Sequence, residues 1–151
     1  MELRQIRLSD PEALPLLHGL SGEYERRYGS ADEISSVDVR EFEPPHGVFL
    51  VLLDQGLTVA GGGVRRLSLD TCEVKRMWTS PDHRRNGLAS AILDALEIVA
   101  REHGYTWLKL ETGPAQPEAQ SLYEGRGYRS IPTYGRYEQA RAFEYLLGPK
   151  E

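Results

Sequence analysis

Ser80-Pro81-Asp82-His83-Arg84-Arg85-Asn86-Gly87-Leu88-Ala89 joins a run of strand character, Thr71 to Thr79, directly to the most strongly periodic helix in the chain. In that helix Leu88, Ile92, Leu96 and Val99 recur on one stripe, with Ala89, Leu93 and Ala100 beside it and His103-Gly104 as the stop. The first turn of a helix presents N–H groups without intrahelical acceptors and the positive end of the dipole, so the junction suits an anion. Gly87 admits a ligand to the backbone, Ala89 leaves room, and Arg84 and Arg85 add charge. Taken singly, each residue has a plainer reading, a glycine kept for loop geometry or arginines on a solvated surface. Gathered at one strand–loop–helix junction, they favour the anion. The loop lacks the lysine and hydroxyl of G-x-x-x-x-G-K-[ST] and the spacing of G-x-G-x-x-G, which disfavours ATP and NAD.

Working outward, Val48 to Leu53 is a continuous apolar run of strand length, Asp54-Gln55-Gly56 turns the chain, and Leu57 to Arg66 returns antiparallel. Gly61-Gly62-Gly63 inside that return predicts a bulge or a close backbone approach. Leu67 to Asp70 leads into the strand Thr71 to Thr79. Alternation there puts Glu73, Lys75 and Met77 on one face and Cys72, Val74, Arg76 and Trp78 on the other. Upstream, Leu3 to Leu8 is a weak first strand. Ser9-Asp10-Pro11-Glu12 starts a helix with a capping side chain, and Leu14, Leu17, Leu20 and Tyr24 form its stripe as far as Arg26-Arg27-Tyr28-Gly29. Ala31 to Phe42 reads as a second short helix capped by Ser30 or Asp32, broken by Pro44-Pro45-His46-Gly47. Downstream, Thr106 to Thr112 is a strand and Pro117 to Glu124 a short helix, while Tyr128 to Ile131 and Ala142 to Leu147 make two last strands.

The 151 residues suit a single domain, 1–151, with 40% hydrophobic and 27% charged residues and no repeats or linker. A net charge of -5 argues against a nucleic-acid or anionic-membrane partner. Cys72 is the one cysteine, which excludes an internal disulfide and a Cys-rich metal site, and its place in a strand reads as a small buried thiol. With no signal-length or membrane-length apolar stretch, the expectation is a cytoplasmic protein. A homodimer is compatible with the sequence.

The pattern [Q/R]-x-x-G-x-[G/A] after a strand, met here by Arg84, Gly87 and Ala89, resembles the pyrophosphate loop of the GNAT superfamily of N-acyltransferases. Glu73-Val74-Lys75-Arg76-Met77-Trp78 looks like that family's fourth strand and Leu110-Glu111-Thr112-Gly113 its fifth. Gln116-Pro117-Glu118-Ala119, Leu122-Tyr123-Glu124 and Gly127-Tyr128 resemble the helix and turn that follow. The likeness is close over residues 48 to 131 and extends to the first 47 only in element order. It implies an α/β GNAT (acyl-CoA N-acyltransferase) fold, a mixed and mostly antiparallel sheet flanked by helices. It also implies acetyl-CoA as cosubstrate, without a metal.

Carried over residue by residue, the resemblance implies that the backbone of Met77, Trp78 and Thr79 pairs with the pantetheine arm. It likewise implies that Arg84, Arg85, Asn86, Gly87, Leu88 and Ala89 wrap the pyrophosphate. The Trp78 side chain is then a packing residue rather than a substrate platform. Tyr123 falls where members place a hydroxyl near the thioester sulfur, to serve the departing thiolate; the alternative is a ring packed under Tyr128. Where the family often has a cofactor-contacting asparagine, this chain has Gln116 followed by Pro117. Glu73 stands where histone-acetyltransferase-like members keep a glutamate base; the alternative is an ion pair with a nearby Lys or Arg. Glu111 and His46 are weaker candidates for the base, and His18 and His103 read as solvated or dipole-compensating. Glu23 to Tyr28 and Ile131 to Tyr137 are expected to shape the acceptor site. There Glu23 and Glu25 would suit a cationic acceptor and Arg136 a carboxylate. The expected reaction is direct transfer of acetyl to a primary amine of a small molecule in a ternary complex. Protein lysine or N-terminal acetylation and a non-catalytic CoA-binding module are the alternatives.

Overall fold

Val48–Asp54 (β2) decides how the core divides, because an unbroken apolar strand must be covered on both faces. Its alternation sends Val48, Leu50 and Leu52 into one buried layer and Phe49, Val51 and Leu53 into another. The computed structural model describes residues 1–28, 38–114, 116–135 and 138–148. Seven strands form one sheet: β1 (Glu2–Ile6), β2, β3 (Leu57–Arg66), β4 (Thr71–Thr79), β5 (Trp107–Thr112), β6 (Arg129–Ile131) and β7 (Arg141–Leu146). Their order is β1-β2-β3-β4-β5-β7-β6. Every neighbouring pair is antiparallel except β4 and β5, so this is the mixed, mostly antiparallel sheet expected.

Helix α1 (Leu14–Tyr28) covers the layer that holds Phe49, Val51 and Trp78. Helices α2 (Leu88–Glu102) and α3 (Pro117–Gly125) cover the opposite face. There Ile92, Leu93, Leu96 and Ala100 pack with Cys72, Val74, Leu108 and Leu110. The amphipathic stripe of α2 is therefore buried as its periodicity requires. Among the described residues no helix is long and apolar enough to cross a membrane.

Three local expectations are corrected. The first helix is entered through a 3-10 turn, Pro11–Ala13, and Asp10 does not cap it. The Asp10 carboxylate instead turns back to accept the Arg7 N–H at 2.8 Å. The buried stripe of α1 is Leu16 and Leu20, continuing from Ala13, with Leu17 at its edge, while Leu14 is 50% exposed. Leu14 lies about 100° around the axis from Ala13 and so points away from the sheet. Of the second helix expected over Ala31 to Phe42, residues 31–37 and the Ser30 or Asp32 cap lie outside the described residues. What is described is a 3-10 turn, Val39–Phe42, capped by Asp38 accepting the Arg40 N–H, which seats Phe42 in the α1-side core.

Both readings of the Gly61-Gly62-Gly63 run hold. The β3–β4 register shifts between Gly61 and Gly63: Gly61 lies opposite Trp78 and Gly63 opposite Lys75, so Arg76 and Met77 share one partner. Arg76 takes a φ of 61°, which makes it the bulged residue. The glycines are also close approaches: a Cβ on Gly62 would fall 2.5 Å from the Met77 sulfur, and one on Gly63 2.5 Å from the Phe49 ring.

Candidate active site

The bulge bends β4, and the bend opens the sheet. Strands β4 and β5 pair only through Thr71–Glu73 against Trp107–Lys109. Beyond Glu73, β4 stays with β3 as far as Thr79 opposite Ala60, and β5 stays with β7 as far as Thr112 opposite Arg141. Two parallel strands thus part, leaving a notch between Met77–Thr79 on one side and Leu110–Thr112 on the other. A sheet edge inside a protein carries unpaired N–H and C=O groups, and these can pair with an extended ligand.

The same bulge corrects the expected faces of β4. Alternation holds from Cys72 to Val74, so Glu73 points to the α1 side. Past Arg76 it is inverted: Met77 joins the α2-side layer with Val74, and Trp78 joins the α1-side layer. Glu73 and Trp78 share a face where the sequence pattern separates them. Trp78 is a packing residue, 8% exposed, its indole lying against Gly19 of α1. Its buried Nε1 meets no acceptor among the described residues.

At the end of β4 the Ser80 N–H donates to the Val59 carbonyl at 2.7 Å and a 3-10 turn, Pro81–His83, carries the chain toward α2. Arg85 (φ 66°) and Gly87 (φ 76°) both take left-handed conformations, and Arg85, Asn86 and Gly87 are exposed. A side chain at Gly87 would meet open space, so the backbone conformation and the access of a ligand explain the glycine, not crowding. The first bond of α2 runs from the Ala91 N–H to the Gly87 carbonyl at 3.1 Å. The N–H groups of Leu88, Ala89 and Ser90 are left without intrahelical acceptors at a positive dipole end. Arg84 does not extend into this concavity. Its guanidinium pairs with Glu23 of α1, and its Nε donates to the Thr79 carbonyl at 3.2 Å.

On the α1 side of the notch, Glu73 is 3% exposed and holds two partners. Arg65, directly opposite in the β3–β4 register, donates from Nε to Oε1 at 2.9 Å and also reaches Glu41 at 2.7 Å. The Tyr134 hydroxyl donates to Oε2 at 2.6 Å. Glu111 accepts the N–H groups of Tyr134 and Gly135, each at 3.3 Å, and the Lys109 ammonium lies 5.5 Å from the centre of the Tyr134 ring. Burial, and then the negative charge of Glu73, hold the Tyr134 hydroxyl well above the usual tyrosine range, so it is a phenol at any working pH. The ion pair offered as the alternative for Glu73 is thus present, alongside a phenol that no local pattern flags.

On the α2 side, Tyr123 of α3 is 5% exposed in the core. Its ring centre lies 5.6 Å from that of Tyr128 and 5.9 Å from that of Phe143. Gln116 precedes α3 with its side chain folded back to the end of β5, where Oε1 accepts the Thr112 hydroxyl at 2.8 Å and the Gly113 N–H at 3.0 Å. The expected residues therefore fall in three groups: Met77–Thr79 on the notch's edge leading into the loop to Ala89, Glu73 on the α1 side, and on α3 and its lead-in Gln116 at the end of β5 and Tyr123 in the α2-side core. His46 and His18 are exposed, and His103 Nδ1 lies 3.1 Å from the Pro45 carbonyl. Arg136 and Tyr137 lie outside the described residues. Cys72 is fully buried, and burial pushes its thiol up to about 12, which removes it as a nucleophile at neutral pH. Among the described residues no three His, Cys, Asp or Glu side chains gather to hold a metal.

The chain matches known proteins over this architecture. The model of the acetyltransferase (GNAT) family matches residues 15–128. The N-acetyltransferase YjgM of Escherichia coli K12 is 32% identical over 137 residues, covering 85% of this chain and 82% of its own. A Klebsiella pneumoniae structure assigned as an acyl-CoA N-acyltransferase superposes with a TM-score of 0.83 at 26% identity over 97% of each chain. PaiA N-acetyltransferase from Thermoplasma acidophilum, solved in complex with coenzyme A, shares the fold at a TM-score of 0.73 and 15% identity, over 97% of this chain and 99% of its own.

Proposed function

This chain belongs to the GNAT acetyltransferase family and is an acyltransferase, and on that premise we propose that it moves acetyl from acetyl-CoA to the primary amine of a small molecule. The observation that carries the proposal is the notch between β4 and β5, with β4 leading directly into the first N–H groups of α2, which have no intrahelical acceptor. An extended arm that finishes in a pyrophosphate has the shape and charge for that path, and the Thermoplasma neighbour of like fold is solved with coenzyme A. In this reading the backbone of Met77, Trp78 and Thr79 pairs with the pantetheine. The loop Arg84, Arg85, Asn86, Gly87, Leu88 and Ala89 encloses the pyrophosphate, with the Arg84 side chain turned away to brace it, and Gln116 shapes the far wall.

Transfer is direct, with both substrates bound. The neutral amine attacks the thioester carbonyl and the C–N bond forms while backbone N–H groups stabilise the developing oxyanion. The C–S bond then breaks, Tyr123 supplies a proton or hydrogen bond to the thiolate, and the proton shed by the attacking nitrogen makes good the one the thiolate takes up. Glu73 is the base that keeps the amine neutral. An acceptor of small size is favoured because Glu73 is nearly buried with Tyr134 on one oxygen, and a cationic one because Glu73 and Glu111 both stand there. Residues 1–151 act as one domain, since a single sheet borders both core layers.

Two measurements test this. Acetyl-CoA at a hundredfold excess over its Kd should raise Tm by about 5–10 °C, and a panel of amines assayed for free thiol should contain an acceptor. No melting shift at millimolar acetyl-CoA would reject the cofactor site. A shift without thiol release from any amine would leave a binding module in place of the enzyme.

A further inference from the structure

The proposed base is sealed from the acceptor. Glu73 is 3% exposed, with Arg65 on one oxygen and the Tyr134 hydroxyl on the other. Arg65 is itself fixed between Glu73 and Glu41. Tyr134 is only half-buried, in the segment that leaves β6, and so stands between the carboxylate and the outside. It is also well anchored. Glu111 accepts its own N–H and that of Gly135, and Lys109 sits over its ring. A side chain on Gly135 would collide with Glu111, so the segment lies tightly against β5. A phenol held on a buried carboxylate by independent anchors is a poor gate and a good conduit.

Resting on acetyl transfer with Glu73 as base, we propose that Tyr134 is a further catalytic residue, a relay through which the acceptor ammonium loses its proton to Glu73. The ammonium N–H bond breaks as an O–H bond forms on the Tyr134 oxygen. The original Tyr134 O–H bond breaks as one forms on Glu73 Oε2. Tyr134 begins and ends as a phenol, Glu73 takes up one proton, and the amine is left neutral for attack. A free-standing phenolate would be costly there: Glu73 and Glu111 are the acids facing the hydroxyl and ring, and Lys109 and Arg65 are the cations. Concerted passage through the 2.6 Å hydrogen bond avoids that species.

The test is Tyr134→Phe, which keeps the ring, its backbone N–H bonds and the Lys109 contact. Its kcat/KM for the best amine should fall about 100-fold, with acetyl-CoA affinity near wild type and Tm lower by a few degrees, because buried Glu73 loses one donor. Its pH profile should lose the wild-type plateau and climb with unit slope toward the pKa of the amine itself. The double variant Tyr134→Phe/Glu73→Gln should be no slower than the worse single variant, because members of one relay fail as a unit. Wild-type turnover and pH profile in Tyr134→Phe, a loss confined to KM, or multiplying losses in the double variant would each overturn the relay alone. Where Glu73→Gln fails to fold, the Tyr134→Phe profile decides. A wild-type chain that releases no thiol with any amine would overturn acetyl transfer itself, and the relay with it.

Discussion

Glu23 of α1 closes on Arg84, the first residue of the glycine loop, across 61 positions of sequence. With the Arg84 Nε also on the Thr79 carbonyl, the guanidinium is committed to bracing the loop against α1 and β4. The charge the loop presents outward comes from Arg85 and from the dipole end of α2.

Arg84 and Gly87 should therefore differ sharply as binding residues. Arg84→Ala removes a brace and should weaken acetyl-CoA binding by less than about tenfold, in the range of an exposed ion pair and one hydrogen bond. Gly87→Val forces a β-branched residue into a φ of 76° and obstructs the approach to the N–H groups, and should weaken binding by more than about 100-fold. Calorimetric titration with CoA measures both. An Arg84→Ala loss as large as that of Gly87→Val would make the guanidinium itself the pyrophosphate ligand.

Tyr123→Phe separates packing from chemistry at one hydroxyl. The ring remains between Tyr128 and Phe143, so the core packing is kept. As donor to the thiolate, its loss should lower kcat by about 10–100-fold with KM for acetyl-CoA nearly constant. Steady-state thiol release reads this out, and an unchanged kcat would return Tyr123 to the core.

Much of this architecture is legible in the chain because it rests on local pattern. The apolar run of β2, the hairpins around it and the stripe of α2 each follow from burial at a fixed period. What local pattern misses is non-local or backbone-specific. The triple glycine announces irregularity on β3, yet the residue that takes the positive φ is Arg76 on the partner strand, and no residue preference marks it. That bulge inverts the face of Trp78 and opens the notch. Arg65 beside Glu73 could have been found by counting register back from the Leu67–Asp70 turn. Tyr134 on Glu73 could not, because it lies 61 positions away with two strands between.

Tyr128→Phe should cost stability without touching the proposed chemistry. The Tyr128 hydroxyl donates at 2.7 Å to Glu97, a buried carboxylate on α2 that Arg126 also holds at 3.0 Å. Deleting the hydroxyl leaves a buried acceptor one donor short, at a cost of about 1–3 kcal/mol. Urea unfolding should show a lower midpoint with an unchanged m-value, while CoA affinity holds. A shift under about 0.5 kcal/mol would mean that Arg126 or water satisfies Glu97 alone.

Alkaline pH should unfold the protein, beginning at Cys72. Burial raises the thiol from 9.0 to about 12 in the folded chain, and the neighbouring Glu73 carboxylate adds to the rise. The folded state therefore keeps a proton that the unfolded state has released, and stability falls wherever the unfolded chain binds fewer protons. The contribution is intact below pH 9 and is lost progressively between there and about 12, at up to about 1.4 kcal/mol per pH unit. Tyr128 and Tyr134, both raised above the usual tyrosine value of 10.0, join the loss above that pH. Between pH 9 and 10 the slope should belong to Cys72, since the unfolded thiol releases its proton from about 9 and the unfolded tyrosines only from about 10. Cys72→Ala should flatten Tm against pH in that window and leave the steeper fall above pH 10 in place. A Cys72→Ala chain that declines like wild type from pH 9 would assign the early loss to another group.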